Sequence, residues 1–129
     1  MADSIFTKII KGEIPAHKIY EDDKTLAFLT ISPSQPGHTL VIPKRQIDQL
    51  WDLSDEDYQA LMITAKKVAK HIKEVLGVKR IGVRVVGEEV PHAHVHLVPF
   101  NTVAEFYARI DGEPESDEKL AKMAKKLAF

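Results

Sequence analysis

Residues 90–99, VPHAHVHLVP, decide the interpretation of this 129-residue chain. Histidines alternate with apolar residues at a period of two, which is the side-chain period of a β-strand. We therefore expect His92, His94 and His96 to share one face of a strand, and the apolar residues between them to face a core. A row of three imidazoles needs a polar environment, so this face is the first candidate for a functional site.

Three interpretations of the row compete. The histidines could simply cover the wet face of a strand. They could bind a metal ion, but on a regular strand neighbours lie about 6.5 Å apart and the outer two about 13 Å apart. Since a zinc–nitrogen bond is about 2 Å long, two of them could share an ion, with a further ligand such as His38 or Glu88, but all three could not. They could also act on one extended substrate.

The third interpretation, catalysis on a nucleotide or polyphosphate, is favoured by imidazole chemistry. A row about 13 Å long matches such a substrate better than a point ion. Neutral imidazole is a nucleophile and imidazolium donates hydrogen bonds to phosphate oxygens. With an unperturbed pKa of about 6.5, both forms are expected to be accessible near neutral pH.

Composition excludes several other classes of protein. There is no cysteine, so disulfides, thiol nucleophiles and cysteine-type zinc sites are ruled out. Lys and Arg number 18 against 19 Asp and Glu, a net charge of -1, which argues against a general nucleic-acid binder. No apolar run reaches signal-peptide or membrane-spanning length. We therefore expect a cytoplasmic protein that binds neither nucleic acid nor membrane.

The remaining patterns predict an α+β fold, with about five strands in an antiparallel sheet, a short N-terminal helix, a long helix and a C-terminal helix. Ser4 or Asp3 can cap the first helix, and Ser54 and Gly77 bound the long one. Residues 32–37, SPSQPG, form a loop. The predicted strands cover residues 17–21, 25–31, 38–42, 80–86 and 92–99. The predicted helices start near residues 5, 54 and 119, with a short turn near Phe106 and an acidic linker over residues 111–118.

The chain resembles the histidine triad (HIT) superfamily of nucleotide hydrolases and transferases. Residues 92–98, HAHVHLV, match its His-φ-His-φ-His-φ-φ signature, in which φ is an apolar residue. Residues 4–10, 12–16 and 37–44 (SIFTKII, GEIPA and GHTLVIPK) resemble the Hint branch. The resemblance covers about residues 3–100. It predicts a HIT domain over residues 1–100 and a C-terminal extension over residues 101–129, whose helix packs on or near that domain.

The resemblance implies a reaction and a role for each histidine. The family's middle histidine, here His94, attacks the α-phosphorus and forms a nucleotidyl-histidine that water resolves. His96 would donate to a phosphate oxygen or to the leaving group, while His92 and His38 would orient the imidazoles. The implied substrate is a purine nucleoside phosphoramidate or a related nucleotide phosphoester. No cofactor or metal is required, and the Hint branch forms homodimers.

The resemblance also places residues beside the nucleotide. The matching positions for the purine pocket are Ile5, Phe6, Ile9, Phe28, Leu29 and Ile31. Two regions depart from the family pattern: Thr30 stands where an Asp usually grips the ribose, and the loop before the triad is shortened to Gly87, Glu88, Glu89 and two further residues. Carboxylates beside a phosphate repel it. Two alternatives therefore stay open: a nucleotide-binding or interaction module with little catalysis, and a metal-binding hydrolase using triad histidines.

Overall fold

The protein combines one sheet with four α-helices in a computed structural model that describes residues 2–108 and 113–129. The strands within these residues are β1 (Lys18–Glu21), β2 (Thr25–Leu29), β3 (Thr39–Pro43), β4 (Arg80–Arg84) and β5 (Val95–Phe100). The helices are α1 (Ile5–Ile10), α2 (Asp55–Leu76), α3 (Val103–Phe106) and α4 (Asp117–Leu127). All neighbouring strands are antiparallel, in the order β1-β2-β3-β5-β4. The predicted α+β fold is therefore confirmed.

The turn between β1 and β2 is organised by one carboxylate. Asp22 Oδ1 accepts hydrogen bonds from the backbone N–H groups of Lys24 and Thr25, at 3.0 and 2.8 Å, and from the Thr25 hydroxyl at 2.9 Å. An aspartate that bonds its own following backbone closes a tight turn. The predicted strands over residues 17–21 and 25–31 are joined as a hairpin by this turn.

Long helix α2 begins and ends at the predicted residues. Ser54 Oγ accepts from the Asp57 N–H at 3.1 Å, which satisfies one unpaired donor of the first turn. Gly77 ends the helix in the left-handed conformation, at φ 66°. Asp57 does not complete a reciprocal capping box but pairs with Arg45 at 2.8 Å. A short 3₁₀ helix, Leu50–Asp52, precedes α2 and was not predicted.

The two faces of the sheet have different partners. One face, bearing Ala27, Val41, Val95 and Leu97, packs against α2 and α4 and forms the larger core; we call it the helix face. Tail helix α4 contributes buried side chains to this core: Leu120, Ala124 and Leu127. The proposed division of the chain at residue 100 stays a prediction.

The opposite face of the sheet, which we call the cleft face, bears Leu40 and His96 at directly paired positions. At one end it is covered by α1, whose Phe6 and Ile9 pack against Leu26, Phe28, Leu40 and Ile42. Because α1 covers only part of this face, the site described below lies beside it. None of the helices within the described ranges is long and apolar enough to cross a membrane.

The histidine segment corrects one prediction. Strand β5 starts at Val95, so only His96 of the three histidines lies in a regular strand. The backbone N–H of His92 bonds to Val90 O at 2.8 Å and that of Ala93 to Ile47 O at 2.7 Å, which ties the segment to the loop after β3. The spacings of about 6.5 and 13 Å expected for a regular strand therefore do not apply to His92 and His94. Strands β2 and β4 are also shorter than predicted, ending at Leu29 and Arg84.

The tail differs from its prediction in detail. Helix α4 begins at Asp117 because Ser116 Oγ caps it by accepting the Lys119 N–H at 3.2 Å. Residues 117 and 118 of the predicted acidic linker therefore belong to this helix. Residues 111 and 112 of that linker lie outside the described residues.

Candidate active site

His94 is held in one tautomer by the backbone. Its Nδ1 lies 2.8 Å from His92 O, and since a carbonyl oxygen can only accept, Nδ1 carries the proton. The neutral ring then has its lone pair on Nε2. The imidazole is 7% exposed, and the Phe6 ring meets it edge-on at a centroid distance of 5.0 Å. His94 is thus an oriented imidazole whose neutral form has Nε2 as its free nitrogen, which is the atom that a nucleophile uses.

His92 is fully buried and orients its neighbour through the backbone. Its Nε2 lies 2.7 Å from Pro43 O and therefore donates to it, leaving Nδ1 to accept from the Ser4 hydroxyl at 2.8 Å. Burial lowers the pKa of His92, and this outweighs the opposing effect of the bond to Pro43. His92 is neutral at pH 7 for this reason, and its carbonyl fixes the His94 ring.

Ser4 links this arrangement to the start of α1. Its hydroxyl oxygen accepts from the Thr7 N–H at 2.9 Å, as the cap of that helix. Gln46 Oε1 accepts from the Ser4 N–H at 2.7 Å and from the Thr7 hydroxyl at 2.6 Å. The sequence predicted a cap at Ser4 but not its contact with His92, because residues 88 apart give no local signal of proximity.

His38 and His96 form a second oriented pair. The backbone N–H of Ser34 donates to His38 Nδ1 at 3.1 Å, so the proton of neutral His38 is on Nε2. That Nε2 lies 3.0 Å from His96 Nδ1 and donates to it. The remaining proton of His96 is therefore on Nε2, which is available as a donor to a substrate oxygen.

The electrostatics of this pair correct the expectation that imidazolium is accessible near neutral pH. Burial, followed by the neighbouring charge of His96 and then Arg84, lowers the pKa of His38 to about 3. Burial, followed by His94 and Arg84, lowers the pKa of His96 to about 4. Desolvation penalises the charged form of a buried imidazole. Any hydrogen bond that His96 donates at pH 7 thus comes from the neutral ring.

The candidate purine-pocket residues fall into three groups. Phe6, Ile9 and Phe28 are buried together where α1 meets the cleft face. Ile5 and Ile31 are 49% and 66% exposed, so their side chains are available to a ligand. Leu29 lies in the core of the helix face, on the other side of the sheet from Phe28.

Thr30 lies beside the second histidine pair. Its backbone N–H donates to His38 O at 3.2 Å, and its hydroxyl oxygen accepts from the Ser32 N–H at 3.4 Å. The side chain is half-buried. A hydroxyl at this place can make fewer hydrogen bonds to two ribose hydroxyls than a carboxylate can.

The short loop after β4 exposes its carboxylates. Glu88 and Glu89 are both exposed, and Gly87 holds a positive φ of 76° that side-chain-bearing residues rarely adopt. Hydrated carboxylates are strongly screened from a phosphate compared with buried ones. The repulsion anticipated from the sequence is reduced by this exposure.

The sequence interpretation missed two polar residues that shape the pair. Ser34 folds back onto His38 within the predicted loop, and Arg84 on β4 lies directly opposite His96 in the strand register. The signal for Arg84 was present: strand alternation and an antiparallel β4–β5 pair would place it on the histidine face. Among the residues that the structure describes, no three His, Cys, Asp or Glu side chains are placed to hold one metal ion.

Comparison with known proteins decides the family. The HIT domain family matches residues 11–103. The chain belongs to the HIT family. Its fold superposes with a TM-score of 0.88 on the crystal structure of a HIT-like protein from Bartonella henselae, at 34% identity, over 97% of this chain and 93% of that one.

Two curated HIT relatives carry an activity in their names. The adenosine 5′-monophosphoramidase of Saccharomyces cerevisiae is 40% identical over 130 residues, covering 98% of this chain and 81% of its own length. The adenosine 5′-monophosphoramidase of Schizosaccharomyces pombe is 42% identical over 96 residues, covering 74% of this chain and 72% of its own length.

Proposed function

We propose that this HIT protein hydrolyses a purine nucleoside phosphoramidate or a related nucleotide phosphoester through a nucleotidyl-histidine intermediate on His94. The observation that carries the proposal is the bond from His94 Nδ1–H to His92 O, which leaves Nε2 unprotonated. The names of the two fungal relatives support a phosphoramidate substrate.

In the first step, His94 Nε2 attacks the α-phosphorus and the P–N bond of the substrate breaks. The leaving amine takes a proton from water, and His94 keeps its Nδ1 proton on His92 O, which stabilises the positive charge of the phosphorylated ring. Neutral His96 donates its Nε2–H to a phosphate oxygen. In the second step, water attacks phosphorus and the P–Nε2 bond breaks. The attacking water gives its proton to the hydroxide left by the first step, and a nucleoside monophosphate is released.

The test compares ammonia release from an adenosine phosphoramidate by wild-type protein and the His94→Ala variant. We expect the variant to lose at least about 10³-fold in kcat, since the nucleophile is removed. His17→Asn serves as the matched control, because His17 lies outside the site and pairs with Asp117 on α4. Equal rates for wild type and His94→Ala would overturn the catalytic role of His94.

A mass measurement tests the intermediate separately. Wild-type protein quenched soon after mixing with denaturant at alkaline pH, where a P–N bond to imidazole survives, should carry one nucleotidyl group, located on the peptide that contains residues 92–96. His94→Ala should carry none. Turnover without any modified peptide at the shortest accessible times would argue for direct attack by water.

A second candidate, a nucleotide-binding module with little catalysis, is favoured by one observation. Thr30 supplies a hydroxyl, half-buried and bonded to Ser32, where a carboxylate would hold a ribose more strongly. Titration calorimetry with AMP and GMP separates the two functions. Micromolar binding of AMP or GMP without turnover of the adenosine or guanosine phosphoramidate supports the module, whereas binding with turnover supports the enzyme.

We propose that the protein forms homodimers through β4. Strands β1 and β4 are the two edges of the sheet. At β1 the backbone N–H of Phe129 bonds to Ile19 O at 3.0 Å, which covers part of that edge. At β4 and just beyond it, Val83, Val85 and Val86 are 53%, 41% and 60% exposed. Exposed apolar residues at a sheet edge favour pairing with a second strand.

A further inference from the structure

Arg84 is a charged residue of the cleft face to which the proposed reaction assigns no role. It is paired directly with His96 across β4 and β5, so the two side chains leave the sheet on the same face. Its guanidinium lies over the Phe106 ring, 5.1 Å from the centroid, and Nη1 donates to Phe106 O at 3.0 Å. These contacts with α3 hold the guanidinium beside the second histidine pair.

Hydrogen bonds connect Arg84 to His96 in one direction. Arg84 Nη2 donates to Ser34 Oγ at 3.4 Å, because a guanidinium has no acceptor. Ser34 Oγ lies 3.2 Å from His38 Nδ1, and since that nitrogen already accepts the Ser34 N–H, the hydroxyl donates to it as well. His38 Nε2 then donates to His96 Nδ1 at 3.0 Å. Every donor in this series points from the guanidinium toward the cleft.

We propose that Arg84 is a positioning residue that, through the Ser34 hydroxyl and His38, reinforces the Ser34 N–H in keeping the proton of His96 on Nε2, the atom that the proposed reaction turns toward phosphate. The guanidinium of Arg84 can only donate, so it opposes a change in the direction of these hydrogen bonds. If all of them were reversed, the hydroxyl hydrogen of Ser34 would point at the positively charged guanidinium. This inference rests on the proposed function in one respect: that the acceptor of the His96 Nε2–H bond is a phosphate oxygen of the substrate.

Arg84 also acts on the pair through its charge. The titratable and charged groups facing His96 are His94 on the same segment, His38 from the loop before β3, and Arg84 on β4; those facing His38 are His96 and Arg84. The exposed carboxylates of Glu88 and Glu89 follow β4 in the chain. A fixed cation beside two neutral imidazoles disfavours a second positive charge on either ring, so Arg84 helps to keep both rings neutral.

The experiment records the ¹⁵N and ¹H signals of the imidazoles in the ligand-free protein from about pH 2.5 to 8, a range that includes the pKa values of both His38 and His96. Wild-type His38 and His96 should show the Nε2–H tautomer at pH 7. In Arg84→Gln, we expect the midpoint of the His38–His96 titration to rise by about one pH unit and a minor population of the Nδ1–H tautomer of His96 to appear beside the form that the Ser34 N–H still favours. Arg84→Lys keeps the positive charge but loses the planar guanidinium. We therefore expect its titration midpoint to be closer to the wild-type value than its tautomer populations are.

Two further variants make the outcome decisive. Arg80→Gln removes a positive charge from the same strand at an exposed position and should leave both signals as in wild type. Ser34→Ala keeps the guanidinium and the Ser34 N–H and removes only the hydroxyl. Because the Ser34 N–H still donates to His38 Nδ1, we expect the Nδ1–H tautomer of His96 only as a minor population, with a smaller change in midpoint than in Arg84→Gln. Wild-type tautomers and midpoints in both Arg84→Gln and Ser34→Ala would overturn the proposal.

Activity supplies a separate readout. The acid limb of kcat/KM should move up in pH with the titration midpoint in Arg84→Gln and stay in place in Arg80→Gln. The imidazole spectra need no substrate, so an inactive wild-type protein would contradict the proposed function while the assignment of Arg84 could still be judged. An active enzyme whose imidazole spectra are the same in wild type and Arg84→Gln would contradict the assignment of Arg84 and leave the proposed function standing.

Discussion

At the scale of single residues, the site consists of imidazoles whose protons are fixed by acceptors and donors on different parts of the chain. His94 is fixed by a carbonyl, His38 by a backbone N–H and His92 by both Pro43 and Ser4. Backbone groups are suited to this because their hydrogen-bonding direction cannot change with pH. The site is therefore organised before any substrate binds, which favours catalysis by a neutral ring.

Buried neutral histidines predict a stability that depends on pH. The pKa values of His38 and His96, about 3 and about 4, lie below those in an unfolded chain, so the unfolded chain takes up protons first as the pH falls. Their contribution is complete above about pH 6.5 and is lost progressively as the pH falls toward the folded pKa values. Each histidine adds a slope of at most about 1.4 kcal/mol per pH unit.

Urea unfolding between pH 7 and 5 measures this slope, in a range where most carboxylates remain ionised. The free energy of unfolding should fall toward pH 5 in the wild-type protein. His38→Asn should have a smaller slope whatever its stability at pH 7, since it removes one of the titrating groups. A wild-type stability that is flat or rises toward pH 5 would contradict the buried neutral state.

At the scale of elements, much of the fold could be predicted from local patterns. Helix α2 begins at Ser54 and ends at Gly77 as expected, because a cap and a left-handed glycine act locally. The histidine segment was assigned to a regular strand and is one only from Val95, since its bond to Ile47 O comes from a loop distant in sequence. For the same reason, the contact of Ser4 with His92 required the three-dimensional structure, whereas strand alternation could have placed Arg84 on the histidine face.

The packing of α3 on β4 gives a prediction at this scale. A Cβ added to Gly82 would overlap the Phe106 ring and lie 3.1 Å from Phe100 Cε1. Gly82→Ala should therefore destabilise the protein by about 1–3 kcal/mol, as expected for overpacking. Removing the obstructing ring as well, in Gly82→Ala/Phe106→Ala, should restore part of the loss.

Thermal or urea unfolding of the four proteins in this double-mutant cycle gives the coupling between the two positions. Contacting residues have coupling energies of about 0.5–3 kcal/mol, whereas independent sites add within about 0.5 kcal/mol. Strict additivity would mean that α3 does not pack on β4 in solution. It would also remove the support that Phe106 gives to the Arg84 guanidinium.

At the scale of the whole molecule, the two edges of the sheet have opposite characters. The β1 edge is short, carries Lys18 and Glu21, and is met by the chain terminus at Ile19. The β4 edge has three exposed valines at or just beyond it. Natural proteins protect free edges with charges or cover, and the charges of β4 lie only at its two ends, Arg80 and Arg84, so the apolar part of this edge is the expected place for a second copy.

Val83→Lys tests this arrangement in solution. A lysine at position 83 of β4 in each copy would bring two like charges close together across a β4–β4 pair and disfavour association. Sedimentation equilibrium should give twice the chain mass for the wild-type protein and the single-chain mass for Val83→Lys, with unchanged circular dichroism. Ile63→Lys is the matched control, since Ile63 is a 62% exposed apolar residue on α2 and its substitution should leave the dimer intact. A monomeric wild-type protein, or a Val83→Lys dimer as stable as the control, would show that the β4 edge is not the site of association.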